Sequence, residues 1–157
     1  MIQRIQSVFL FFVGFFMVLM LFFPIWKKEN PETKEATVLT ATTMIYSKDG
    51  VEVKKQATFY IAGLALVSAI LAFYTIFLYT NRITQIKLVM FNTILICLVL
   101  GLMVYIISLG EKTFGPSLKD SYLVGYYLPI PAALLSILAR RFIKKDEDLV
   151  RSSNRMR

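Results

Sequence analysis

Polar residues inside apolar stretches are the first candidates for chemistry, because a polar group in such surroundings needs a partner. One set of polar or small residues recurs every four residues in the stretch 88–110 and shares one helical face: Thr93, Cys97, Gly101 and Tyr105. Pro129 and Pro131 interrupt a later stretch and predict a kink. Broken helices can line binding sites. We call the set of four the polar stripe; with the prolines it predicts either a cavity or, more simply, close helix packing.

A second candidate site lies in the tail, residues 144–157, which reads "KKDEDLVRSSNRMR". Leu149 and Val150 are adjacent aliphatic residues, and three arginines follow them: Arg151, Arg155 and Arg157. Short aliphatic anchors can dominate a small interface, and the guanidinium group suits pairing with carboxylates. The tail therefore predicts docking on another subunit or on the loop 81–87. The simpler alternative is a solvated basic end.

The missing residue types exclude most catalytic chemistry. The chain has no histidine and a single cysteine, so it lacks the commonest general base and cannot form an internal disulfide. Its four long apolar stretches contain no Asp, Glu, Lys or Arg, on which ion-coupled carriers depend. No metalloprotease or phosphate-binding motif occurs. We expect a protein that is not an enzyme, with no cofactor and no metal site.

These apolar stretches predict the architecture. Hydrophobic residues make up 57% of the 157 residues, and the uncharged stretches are 5–26, 57–80, 88–110 and 121–139. The first would extend about 33 Å as a helix, enough for a hydrocarbon core of about 30 Å. Bulky residues at its end argue against a cleaved signal peptide. With the fourth stretch extended to 121–143, the sequence predicts a single all-α membrane domain, 1–157, with four transmembrane helices.

Small residues predict how the second helix packs. Alanine recurs there at alternating intervals of three and four: Ala62, Ala65, Ala69 and Ala72. Such spacing is typical of a seam along which membrane helices approach closely.

The segment 27–56 is too long for a simple connection. Its start is polar and predicted to be irregular. Asp49-Gly50, between β-branched residues, predicts a small extracytoplasmic β-hairpin that pairs Ser47 with Glu52 and Tyr46 with Val53. A third strand is possible within 37–42.

The basic residues predict the orientation. The net charge is +8, and most Lys and Arg flank the apolar stretches, where anionic headgroups explain them better than nucleic acid does. Their distribution favours both termini, including the tail, in the cytoplasm of a bacterium.

The two ends of the chain, "MIQRIQS" and "DLVRSSNRMR", together with the apolar stretches, resemble a family of small, uncharacterised four-helix inner-membrane proteins of Bacteroidota. The resemblance implies location and topology and supplies no catalytic residues. We therefore expect an integral inner-membrane protein that serves as an accessory or scaffolding subunit. Its partners would be the lipid bilayer and other membrane subunits or a second copy. The alternative function is a binding protein or transporter for a lipid or small apolar solute.

Overall fold

The computed structural model describes residues 3–30, 35–48, 50–79, 81–114 and 119–155. Its long helices are α1 (Gln3–Phe22), α2 (Phe59–Phe77), α3 (Arg82–Phe114) and α5 (Pro129–Arg155), with a short helix, α4 (Val124–Tyr127), before α5. The strands are β1 (Trp26–Asn30), β2 (Glu35–Leu39), β3 (Thr43–Lys48), β4 (Val51–Ala57) and β5 (Lys119–Tyr122). They form an antiparallel sheet in the order β4-β3-β2-β1-β5.

The predicted all-α fold with four transmembrane helices and one hairpin is wrong. Five strands form a sheet, and within the described ranges three helices are long and apolar enough to cross a membrane: Ile5–Phe22, Phe59–Phe77 and Arg82–Glu111. The segment 121–143 is not one helix, because its first two residues belong to β5 and the helix is interrupted at Leu128. Charged residues from Arg140 onward leave α5 too polar to qualify.

The helices bury faces whose residues alternate in steps of three and four. On α2 the buried residues include Ile61, Ala65, Ser68, Ala69, Ala72 and Thr75. On α3 they include Gln85, Val89, Asn92, Ile96, Val99 and Met103. This spacing keeps one side of a helix facing its neighbours. The predicted alanine seam is thus confirmed at three of its four positions, and Ala62 is half-buried.

Each long helix packs against two others: α1 and α3 each contact both α2 and α5. Ser68 donates a hydrogen bond to Asn92 Oδ1 at 2.8 Å across the α2–α3 contact. Further along, Arg82 pairs with Asp146 at 3.2 Å, joining the start of α3 to α5. The first residues of α1 and the last of α5 therefore lie at the helix ends farthest from the sheet.

The sheet joins the helices through very short connections. Pro24 disfavours helix at the preceding residue, and α1 ends at Phe22. Ile25 N–H then donates to Leu39 O at 2.8 Å, while Ile25 O accepts from Leu123 N–H at 3.0 Å. At the start of α2, Thr58 N–H donates to Thr42 O at 2.8 Å. These bonds fix the sheet across the ends of the helices.

The hairpin prediction is correct in place and partly correct in register. Ser47 pairs with Glu52 as expected, but Tyr46 pairs with Lys54 because an irregularity leaves Val53 as an extra residue. Gly50 has a φ of 80°, which suits glycine at the turn, and Asp49 lies outside the described residues.

The start of the loop was predicted to be irregular. Its first residues instead belong to β1, which lies inside the sheet between β2 and β5, and residues 31–34 lie outside the described residues. The sequence "WKKEN" hides this strand because only one of its five residues is apolar. Trp26 was included in the first transmembrane segment, 5–26; it instead begins β1 and is fully buried. The third strand expected within 37–42 is β2, which begins and ends earlier, at Glu35 and Leu39.

A substitution at Gly125 tests how closely this residue packs against the backbone at Pro24. A Cβ added to Gly125 would lie 2.7 Å from both Phe23 O and Pro24 O, which are backbone atoms and cannot move cheaply. We expect Gly125→Ala to lower the free energy of unfolding by about 1–3 kcal/mol. In the control, Gly101→Ala, the added carbon meets nothing within 4 Å, so stability should be unchanged or slightly higher. Equal unfolding temperatures of the two variants in detergent would contradict this tight junction.

Candidate functional site

The structure does not bring the polar stripe together as one surface. Thr93 is half-buried, and its hydroxyl lies 2.7 Å from Ser136 Oγ on α5. Cys97, Gly101 and Tyr105 are exposed on the outer side of α3. Steps of four residues rotate by about 40° each against a helix of 3.6 residues per turn, so the stripe leaves the packed face.

The two prolines lie at the start of α5. Pro129 is buried and Pro131 is half-buried. The predicted break is confirmed, because α4 ends at Tyr127 and α5 begins at Pro129. The prolines interrupt the helix close to the point where Gly125 contacts the end of α1.

The tail continues α5 as a helix to Arg155, and Leu149 and Val150 are exposed on it by 51% and 43%. Of Arg151 and Arg155 only the helical backbone is described, and Arg157 lies outside the described residues. The segment 81–87 was predicted to be a loop, but α3 begins at Arg82, and the contact of this segment with α5 comes earlier in α5 than Leu149. Arg82 Nη1 lies 3.2 Å from Asp146 Oδ2 and donates to Asp146 O at 3.3 Å. Docking of Leu149 and Val150 stays a prediction.

A site that the sequence did not predict lies where the sheet meets the helix ends. A cavity of about 460 Å³ is bounded by the β2–β3–β4 side of the sheet, the first turn of α2 and the later part of α3. Its lining residues are Glu35, Met44, Tyr46, Val53, Lys54, Gln56, Tyr60, Ile106, Leu109 and Gly110. Its volume falls within the usual range for small-molecule sites, about 300–1,000 Å³. We call it the sheet–helix cavity.

The helix side of the cavity is apolar. Ile106, Leu109 and Gly110 supply it from α3. A Cβ on Gly110 would lie 2.9 Å from the terminal methyl of Met44 and 3.3 Å from the ring of Trp26. The absence of a side chain at this position therefore lets Met44 and Trp26 pack directly against α3.

The sheet side becomes more polar with distance from the helices. Residues two apart on a strand share a face, so the pairing defines three successive rows. The row nearest the helices is Trp26, Leu39, Met44 and Gln56. The second is Lys28, Thr37, Tyr46 and Lys54, and the third is Asn30, Glu35 and Lys48. The cavity thus has an apolar end against α3 and a polar end beneath the outer rows.

The charges at the polar end are not balanced. Glu35 pairs with Lys48 at 3.0 Å and accepts a hydrogen bond from the phenol of Tyr46. Burial, this hydrogen bond and the charge of Glu35 raise the pKa of Tyr46 above its ordinary value. Among the residues that the structure describes, no acidic side chain forms an ion pair with Lys54, which also lines the cavity.

Sequence reasoning missed this site because its wall combines five elements: β2, β3, β4 and the start of α2, which are consecutive, and the later part of α3, which is distant in the chain. One local signal was available in β3. Met44 and Tyr46 are two residues apart and therefore share a face, on which an apolar side chain is followed by an amphipathic one. The depth at which this face meets α3 depends on Gly110 and on the pairing of β1. Neither was visible in the sequence.

The comparison with protein families gives one result. Residues 2–156 match a domain of unknown function, DUF4293. The chain belongs to this family. No curated protein matches it. Membership confirms the expectation of an uncharacterised family and assigns no activity, so the function has to be inferred from the geometry of the sheet–helix cavity.

Proposed function

We propose that this protein is a multi-pass protein of the bacterial inner membrane that binds an amphiphilic lipid in the sheet–helix cavity. The observation that carries the proposal is the gradient inside the cavity, from Ile106 and Leu109 at one end to Lys54 and Glu35 at the other. A purely apolar solute would cover the ammonium group of Lys54 without giving it a partner, which is costly. A small polar solute would gain nothing from the apolar wall. An amphiphile satisfies both ends.

The membrane location rests on three helices of sufficient length and apolar character. It is also supported by large apolar side chains on their outer faces, including Phe11, Ile70 and Ile94, each at least half exposed. A soluble monomer rarely exposes so much apolar surface. Tyr60, in the first turn of α2, lines the cavity at the level where tyrosine is commonly found in membrane proteins, the boundary between hydrocarbon and water.

The proposed orientation puts the sheet outside the cytoplasm. The end of the helices opposite the sheet carries a concentration of basic residues: Arg82, Lys87, Arg140, Arg141, Lys144 and Lys145. Lysine and arginine near membrane-spanning helices favour the cytoplasmic side. A lipid would then reach the cavity from the outer leaflet of the inner membrane.

Cysteine labelling tests this orientation. In a Cys97→Ala background, Glu52→Cys on the exposed strand β4 should react with a membrane-impermeant maleimide in intact spheroplasts. Ser152→Cys, exposed near the end of α5, should react only after lysis. The reverse pattern would show that the sheet lies in the cytoplasm.

Two leucines on α3 test lipid binding. Leu109 lines the cavity and Leu98 lies three turns earlier, and their exposures are nearly equal at 45% and 46%. Leu109→Trp should fill part of the cavity and reduce the lipid retained through detergent purification at least severalfold, as measured by native mass spectrometry. Leu98→Trp places the same side chain on the outer face and should leave the retained lipid unchanged. Equal retention by both variants and the parent would contradict binding in this cavity.

The accessory or scaffolding role is a second candidate function. It is favoured by Leu149 and Val150, which are exposed on the polar, C-terminal part of α5. Replacing both by serine keeps every charge, so attraction to lipid headgroups should persist while a partner held by these side chains is lost. Copurification in mild detergent gives the answer. An unchanged set of copurifying membrane proteins would remove the support for this role.

A further inference from the structure

We infer that the amphiphile bound in the sheet–helix cavity carries an anionic headgroup, a phosphate or a carboxylate, which pairs with Lys54. This inference rests on the proposed function, because it names the class of lipid that the same site would take. Its starting point is the arrangement of charges around the polar end of the cavity.

The negative charge at this end is already compensated. Among the described residues that line the cavity, Glu35 is the one acidic residue, and it is bound by Lys48 and by the Tyr46 phenol. A cationic headgroup would have to compete with both of these partners. It would also approach Lys54 and would be repelled by it.

The positive charge is not compensated in the same way. Lys54 lies on β4 directly opposite Tyr46 of β3. Lys28 belongs to the same row but lies on β1, and only 3% of its surface is exposed. Lys28 has a partner of its own. Lys54 has no ion-pair partner among the described residues, and it lines the cavity. The three N–H donors and the positive charge of an ammonium group suit an anionic oxygen.

The position of Lys54 matches the head of a lipid rather than its chain. Lys54 belongs to the second row from the helices, while Met44 and Gln56 in the first row lie between it and α3. A lipid with its chain against Ile106 and Leu109 would therefore present its headgroup to Lys54. An anion without a chain would leave the apolar end empty.

Trp26 provides a readout that is specific to this cavity. It is the single tryptophan of the chain, is fully buried, and packs against Gly110, which lines the cavity. A brominated acyl chain inside the cavity would come close enough to quench its fluorescence, whereas bulk lipid on the outer helix faces is kept away by the surrounding protein.

The test titrates the full-length protein in a nonionic detergent with brominated phosphatidylglycerol or with brominated diacylglycerol of the same chains, a neutral lipid whose head carries no phosphate. We expect saturable quenching by both lipids, with half-quenching at about fivefold lower concentration for the anionic one. Lys54→Gln should reduce this ratio to near one and leave the neutral lipid unaffected. Lys145→Gln, exposed at the opposite end of the helices, should keep the full ratio.

The outcomes separate the two proposals. Equal quenching of the parent by both lipids, or a ratio unchanged in Lys54→Gln, overturns the anionic headgroup and leaves lipid binding in place. Absence of saturable quenching by either lipid overturns both. Glycerol phosphate, added at the concentration that suffices for the lipid, should not displace it. Displacement would show that the site recognises a free phosphate compound rather than a lipid.

Discussion

Three backbone hydrogen bonds at Pro24 and Ile25 hold the helices and the sheet in one arrangement. The residues that follow α1 bond to Leu39 on one side and to Leu123 and Gly125 on the other. A helix end leaves its last carbonyl groups without partners inside the helix, so other hydrogen-bond donors are needed there. Here the chain turns directly into β1, and strands on both sides of it complete the pairing. The sheet forms here because α1 ends next to other helix ends that are also followed or preceded by strands in the chain.

The sheet–helix cavity follows from this attachment. β1 lies directly over the helix ends and its Trp26 is fully buried, whereas every residue of β4 is exposed. The sheet is therefore packed tightly near β1 and extends beyond the helices at β4. The cavity is the space that remains between these strands and α3. Apolar groups of α3 line one side, and rows of sheet residues that become more polar with distance from the helices line the other. Thr58, the one residue between β4 and α2, is hydrogen-bonded to Thr42 and Thr40, which limits how far this edge can move.

The sequence was informative where a single element determines its own structure. Long uncharged stretches predicted the three helices that are apolar enough to span a membrane, the alanine spacing predicted the buried face of α2, and Asp49-Gly50 predicted the β3–β4 turn. It was misleading where pairing decides the structure. β1 and β5 are short, polar strands that are stable only through each other and β2, and no local pattern marks them.

The candidate sites show the same distinction. The polar stripe on α3 was inferred from residue type at steps of four, but the packed face follows steps of three and four, so only Thr93 reaches α5. The sheet–helix cavity depends on contacts between distant segments, such as Gly110 with Met44 and Trp26. Such contacts arise from the topology of the chain and could not be read from any single stretch.

Photo-crosslinking tests lipid binding in the cavity most directly. The parent protein is reconstituted in vesicles that contain a phospholipid with a diazirine in its acyl chain, and the crosslinked peptides are identified by mass spectrometry. Occupation of the cavity predicts crosslinks concentrated in residues 44–60 and 106–110, well above those on outer-face positions such as Ile70 and Ile94. Crosslinks spread evenly over the outer helix faces, with none in the two cavity segments, would contradict it.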